Sequence, residues 1–125
     1  MTYFQIINNE EKTICVNEKE PLFLVRICKQ HSYQDSALEE RAMYDLSPTG
    51  FMLYCLMSMK PPQYIWSFSV SKLPFDIDTL KKAIEELFSV GYMARTKHEL
   101  IDIYGESVEI DGYVFYENPI ESKRR

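Results

Sequence analysis

The sequence lacks a surplus of basic residues, and this absence restricts the partners that it can bind. Its 125 residues carry 14 Lys and Arg against 19 Asp and Glu, a formal net charge of -5. Proteins that bind DNA through its phosphates usually carry excess positive charge. Any nucleic-acid site must therefore be local. Residues 46–105, where basic and acidic side chains balance, are the least repulsive to phosphate.

Cysteine and histidine are also scarce, which argues against disulfide, metal and catalytic sites. The three cysteines, Cys15, Cys28 and Cys55, form no C-x-x-C pair and predict buried, reduced thiols. Neither histidine, His31 or His98, has metal-ligand spacing to another candidate residue. No nucleophile elbow, phosphate loop or H-E-x-x-H motif occurs. The sequence thus predicts a protein that is not an enzyme and that needs no cofactor or metal.

Long apolar segments are absent as well. No apolar run approaches the roughly 20 residues that a membrane-spanning helix needs, and the first residues form no secretory signal. These absences predict a cytoplasmic protein without a membrane partner or a small-molecule substrate. Apolar residues nevertheless make up 46% of the chain and aromatic residues 14%. That content is sufficient for the core of one domain of ordinary size.

What the sequence contains is a series of short elements. The N-terminal part predicts a hairpin, with turn residues over 8–12, then a strand over 22–28 and a short helix over 37–43. Ser47 and Pro48 are typical of the start of a second helix. A short strand is expected over 65–69, and an amphipathic helix over 77–90, where apolar residues repeat with the helical period.

The C-terminal part predicts further strands. A strand is expected over 92–96 and another over 113–116, with a tight turn at Asp111–Gly112. The segment 99–110 is either a long loop or a further hairpin. Several aromatic residues are expected in the core rather than on a base-stacking surface, namely Trp66, Phe68, Tyr92, Phe115 and Tyr116.

Three motifs in this order resemble a known family. They are Leu46-Ser47-Pro48-Thr49, the 77–87 helix followed by Ser89-Val90-Gly91-Tyr92-Met93, and Tyr113-Val114-Phe115-Tyr116-Glu117-Asn118-Pro119. They resemble the winged-helix domain of phage, plasmid and mobile-element proteins of Gram-positive bacteria, including replication-initiation proteins of the DnaD type. The resemblance spans roughly residues 22–119.

The resemblance implies an α+β fold, a winged helix with a helix-turn-helix and a C-terminal β-hairpin wing, preceded by N-terminal β-strands. Residues 1–45 would pack on a winged-helix core at 46–119, and residues 120–125 would form a disordered tail. The implied function is non-catalytic binding of double-stranded DNA in the replication or transcription of a phage or mobile element.

In such a domain the 77–90 helix would enter the major groove, while basic residues near the wing would bind the DNA backbone. The alternative is an ordinary solvated surface, in which Lys81–Glu85 and Lys82–Glu86 pair one helical turn apart. The candidate DNA-binding residues are Lys72, Thr79, Lys81, Lys82, Arg95, Lys97 and His98.

A second hypothesis is a protein-interaction domain with little or no DNA affinity. It rests on the acidic balance, on the short segment 69–74 where the family has a full helix, and on the acidic residues around the expected wing. Exposed edge strands pair readily with other chains. Such a domain would form a homo-oligomer, or bind a protein partner, through its N-terminal strands or its wing.

Overall fold

A six-stranded sheet and three helices make up the described part of the fold. The structure is a computed structural model that describes residues 2–7, 9–15, 22–28, 36–62, 64–69 and 73–118. The helices are α1 (Ser36–Asp45), α2 (Pro48–Ser58) and α3 (Ile77–Val90). The strands are β1 (Thr2–Ile7), β2 (Glu10–Cys15), β3 (Leu22–Cys28), β4 (Ile65–Ser69), β5 (Met93–Ile101) and β6 (Ser107–Tyr116).

The sheet is mixed and nearly closed. Its strand order is β2-β1-β5-β6-β3-β4. β3 runs parallel to β6, and every other neighbouring pair of these strands is antiparallel. Strands in a sheet twist relative to one another, and here the sheet curls until its two edge strands, β2 and β4, come into contact. The result resembles a barrel with a seam between β2 and β4.

The two faces of the sheet pack into different cores, because side chains alternate along a strand. On β3, Leu24 joins the small cluster of Ile14, Ile65 and Leu100 inside the barrel. The neighbouring Val25 belongs to the larger core that the sheet shares with the three helices. That larger core also holds most of the large, fully buried side chains, which are Val25, Ile27, Leu53, Tyr54, Met57, Leu87, Tyr92, Met93 and Phe115.

The helix ends follow the sequence signals. Ser47 and Asp76 cap α2 and α3, each accepting a hydrogen bond from a backbone N–H in the first turn. Gly91 ends α3 in the left-handed conformation, with φ 99°, which glycine adopts without a Cβ penalty. The structure confirms the predicted segments over 22–28, 65–69 and 77–90.

The predicted winged-helix fold is wrong. A wing would be a peripheral hairpin, but β5 and β6 pair over nine positions and lie in the middle of the sheet, with β1 on one side and β3 on the other. Residues 73–75, just before α3, are not helical. The physical reason is strand β3, whose Leu24 and Val25 are buried on opposite faces because the strand lies between β6 and β4. The fold is therefore mixed α/β.

The predicted tight turn at Asp111–Gly112 is also wrong, because both residues lie within β6. The chain turns over 102–106 instead, so the hairpin alternative for this segment is confirmed. Asp102 organises the turn, since its Oδ1 accepts the backbone N–H groups of Tyr104 and Glu106, both at 2.9 Å. Aspartate commonly stabilises turns by bonding the backbone a few residues ahead.

Gly112 allows the central strands to approach closely. A Cβ atom at this position would lie 2.5 Å from Cδ2 of His98 and 2.8 Å from the carbonyl oxygen of Leu24. The Leu24 carbonyl belongs to β3, so it cannot retreat without disturbing the parallel pairing of β3 with β6. A glycine is therefore required where these two strands meet.

We expect Gly112→Ala to lower the free energy of unfolding by about 2 kcal/mol, because the added methyl group overpacks the barrel interior. Urea unfolding monitored by circular dichroism measures the change. Glu109→Ala alters an exposed position on the same strand and should change stability by less than about 0.5 kcal/mol. Equal effects of the two substitutions would contradict the close approach at Gly112.

Candidate functional site

The three predicted DNA-binding residues of α3 lie on a surface of balanced charge. Thr79 and Lys82 line a recess of about 220 Å³, together with Ser47 and Glu86. The Glu86 carboxylate accepts hydrogen bonds from the backbone N–H and the hydroxyl of Ser47, so it holds α3 against the start of α2. Four charged side chains are exposed on α3, two acidic and two basic, namely Asp78, Lys81, Lys82 and Glu85.

Arg95 and Lys97 are exposed on β5. The Arg95 guanidinium carbon is 5.5 Å from the ring centroid of Phe88 on α3. Lys97 is paired across the sheet with Asp111, and the next exposed pair is Glu99 with Glu109. The two basic residues thus stand among three carboxylates. The neighbouring carboxylates therefore offset the positive charge that these two residues could offer to DNA phosphates.

His98 lies inside the barrel and not at its surface. Only 4% of the residue is exposed, and its Nε2 is 3.0 Å from the carbonyl oxygen of Tyr113. Burial lowers the pKa of His98 from its usual value of 6.5, against the opposing effect of backbone carbonyls at Leu24 and Tyr113. Lys72 lies outside the described residues. Because it is buried, His98 does not share a surface with the exposed candidate residues.

The side chains that do converge lie at the seam between β2 and β4. Gln5 on β1 and Lys12 on β2 are partners across the hairpin, and both reach the backbone of Ile65 at the start of β4. The Ile65 N–H donates to Gln5 Oε1 at 2.8 Å, and Lys12 Nζ donates to the Ile65 carbonyl oxygen at 2.8 Å. These three residues are called the clasp below.

The clasp stands where a strand ladder would otherwise be expected. Among the described residues, no main-chain hydrogen bond joins β2 to β4. Edge strands present unpaired backbone N–H and C=O groups, which native sheets usually cover or pair. Here the two edges touch, but only side chains bridge them. In the described part of the chain, the two edge strands therefore lack a main-chain partner at the seam.

Beside the clasp, the seam widens into a groove of about 440 Å³. Tyr64 and Trp66 stand edge to face, with ring centroids 6.5 Å apart, and Trp66 Nε1 donates to the carbonyl oxygen of Pro61 at 3.0 Å. The opposite wall of the groove is the edge strand itself. The lining residues are Glu10, Glu11, Lys12, Thr13, Pro61, Tyr64 and Trp66.

Two ammonium groups flank the single tryptophan ring. Lys12 Nζ lies 3.3 Å from the Trp66 ring centroid, and Lys60 Nζ lies 5.1 Å from it. Aromatic faces attract cations, and the indole contacts both charges, of which Lys12 also lines the groove. Burial and the neighbouring Lys60 charge lower the pKa of Lys12 to about 8. Two ammonium groups therefore lie on one indole ring at the seam.

Sequence reasoning missed this groove. Lys12 was expected in a turn, but it belongs to β2, because the pairing of β2 with β1 already begins at Glu10. Trp66 was expected in the core, yet it is only half-buried and lines the groove. The alternation Tyr64-Ile65-Trp66 was the available signal, since Ile65 points into the barrel and the flanking rings point away from it.

Other predicted features are partly corrected. The three cysteines are free, as predicted, but Cys15 is exposed, and Cys28 and Cys55 are only partly buried. No group of side chains in the described ranges could hold a metal ion. No helix among those residues has the length and apolar character to cross a membrane.

No protein-family model, no curated protein and no solved structure matches this chain. The likeness to winged-helix proteins of mobile elements therefore rests on the three sequence motifs alone, and DNA binding stays a prediction.

The burial of His98 predicts a pH dependence of stability. The unfolded chain takes up a proton near pH 6.5, whereas the folded chain takes it up only at lower pH, so stability falls as the pH drops below 6.5. We expect His98→Gln to lose less stability than the wild type between about pH 7.5 and about pH 5.5. Urea unfolding at both pH values measures the difference, and the same loss in both proteins would contradict it.

Proposed function

We propose that this protein is a non-catalytic protein-interaction module that binds an extended segment of a partner protein along the seam. One observation carries the proposal. The edge strands β2 and β4 touch, yet no main-chain hydrogen bond joins them in the described part of the chain. A peptide in strand conformation would pair with the free edge of β2. Such addition of a strand to a sheet edge is a recurrent mode of peptide recognition.

The register of the β1–β2 hairpin identifies the backbone groups available on β2. Ile7 and Glu10 flank the turn and pair with each other, so Gln5–Lys12 and Tyr3–Ile14 are the further hydrogen-bonded pairs. In an antiparallel pair the residues between them direct their N–H and C=O groups outward. Glu11 and Thr13, both exposed, therefore present these groups to the seam.

The aromatic wall supports the same proposal. Tyr64 and Trp66 are fixed in place, because the Tyr64 hydroxyl donates to Glu10 Oε2 at 3.4 Å and the Trp66 indole donates to Pro61. Rigid aromatic side chains supply contact area with little loss of conformational entropy. The backbone edge would contribute affinity, and the aromatic wall would select the side chains that alternate along the bound segment.

The competing hypothesis is DNA binding through α3. Its docking geometry was derived from the winged-helix resemblance. The exposed charges of α3, however, are balanced, and the charged residues paired with or next to Arg95 and Lys97 are mostly acidic. Phosphate contacts depend on a local excess of cations. The seam offers both unpaired backbone and a shaped groove, so the interaction hypothesis is the better supported of the two.

Selection from a displayed library of random peptides tests the proposal. Each peptide is about six residues long, the length of an ordinary strand. Selected peptides are synthesised with blocked ends and titrated against three proteins: wild type, Thr13→Pro and Thr13→Val. Proline removes the outward N–H of β2 but leaves the bonds to β1, and edge strands tolerate proline. We expect affinity to fall at least about tenfold in Thr13→Pro, because one hydrogen bond is lost and the peptide acceptor is desolvated without a partner. Affinity should persist in Thr13→Val.

Equal affinity for Thr13→Pro and Thr13→Val, or no enriched peptide, would contradict the proposal. Labelled random duplex DNA, titrated at low and at moderate salt, tests the competing hypothesis. Salt-sensitive binding that is lost in the Lys81→Glu, Lys82→Glu double variant would favour DNA. A homodimer that dissociates on Thr13→Pro would mean that the seam binds a second copy of this chain and not a separate partner.

A further inference from the structure

We propose that the groove selects acidic segments: the bound peptide places an aspartate or glutamate carboxylate beside Lys12 and Lys60 at the Trp66 end. This inference rests on the proposed function and specifies the chemistry of its partner. It depends on two neighbouring ammonium groups on one indole ring, 3.3 Å and 5.1 Å from its centroid. Two like charges in contact with one ring repel each other, and an anion between them would remove that repulsion.

The carboxylates already present in the groove do not neutralise these lysines. Among the described residues, neither Glu10 nor Glu11 forms an ion pair with Lys12 or Lys60. The Glu10 carboxylate is instead the acceptor of the Tyr64 hydroxyl, and Glu11 directs its side chain to the opposite face of β2 from Lys12, as alternation requires. Glu10 and Lys12 both contact Tyr64, Glu10 at the tyrosine hydroxyl and Lys12 over the ring, without forming an ion pair with each other.

Lys12 is oriented for a second acceptor. Its ammonium group has three donors, and one of them is used on the Ile65 carbonyl oxygen. The Trp66 ring covers one side of the group, and Lys12 lines the groove, so the remaining donors are available to a ligand there. A peptide carboxylate at this place would gain a charge-assisted hydrogen bond, roughly twice as strong as a neutral one. A cationic side chain would meet two positive charges there and an aromatic face that is already occupied.

The indole ring cannot exchange Lys12 for a cationic ligand without opening the clasp. The Lys12 ammonium group contacts the Trp66 ring and donates a hydrogen bond to the Ile65 carbonyl oxygen at the same time. Displacing it would therefore break the bridge between β2 and β4. Recognition of an acidic residue requires no such rearrangement. This difference favours an acidic partner over a basic one, although aromatic grooves can in general bind cations.

Three versions of one selected peptide test the inference. The residue that faces the Trp66 end is glutamate, glutamine or lysine, the ends are blocked to remove terminal charges, and binding is followed by the fluorescence of Trp66, the chain's single tryptophan. We expect the glutamate peptide to bind about tenfold more tightly than the glutamine peptide, and the lysine peptide to bind more weakly than both. Lys60→Met and Lys12→Met should remove the preference.

Lys97→Met is the matched control, because it removes the same charge from β5 and should leave the preference intact. Lys12→Met also opens the clasp, so the Lys60→Met result decides the matter if Lys12→Met fails to fold. The preference should also weaken as the pH rises through about 8, where Lys12 loses its proton. The other ionisable side chains beside it are Glu10, Glu11, Lys60 and Tyr64, with Arg26 paired to Ile65 on the adjacent strand.

The failure of this inference is distinct from the failure of the proposed function. If peptides bind in a Thr13-dependent manner but glutamate, glutamine and lysine versions bind equally, the seam is an interaction site without acid selection. A stronger affinity for the lysine peptide would overturn the inference outright. If no version binds, the proposed function fails first.

Discussion

The fold depends on the contact that the clasp makes across the seam. A sheet of this order has two edges, and hydrophobic packing inside the barrel brings them together, but strand pairing does not complete the closure. Gln5 and Lys12 instead bond the N–H and C=O of Ile65. The two main-chain hydrogen bonds that a neighbouring strand would make to this residue of β4 are therefore made by side chains. Side chains therefore bridge the two edges where they touch, and the groove beside Trp66 lies next to this bridge. A full main-chain ladder would remove both the groove and the free edge.

The clasp also links the small barrel core to the surface site. Ile65 lies in that core with Ile14, Leu24 and Leu100, while its neighbours Tyr64 and Trp66 form the groove wall. The small barrel core and the groove wall thus share one segment of β4. The helices contribute to a separate core on the other face of the sheet, so they do not take part in the packing of the small barrel core.

Local elements were largely predictable from the sequence, whereas their arrangement was not. Caps at Ser47 and Asp76, the glycine at Gly91 and the apolar period of α3 are local signals, and the predicted helix over 77–90 agrees with the structure. The parallel pairing of β3 with β6 joins residues about 90 positions apart in the chain, and no local pattern specifies it. The groove was missed for the same reason, since Lys12 and Trp66 are brought together only by closure of the sheet.

Amide hydrogen exchange in β2 tests the central claim most directly. Lys12 and Ile14 donate to β1, so their amides should be protected, whereas the outward amides of Glu11 and Thr13 should exchange rapidly in the free protein and slowly once a selected peptide is bound. Nuclear magnetic resonance resolves each of these four amides. Strong protection of Glu11 and Thr13 in the free protein would mean that main-chain bonds already close the seam, and it would contradict the account.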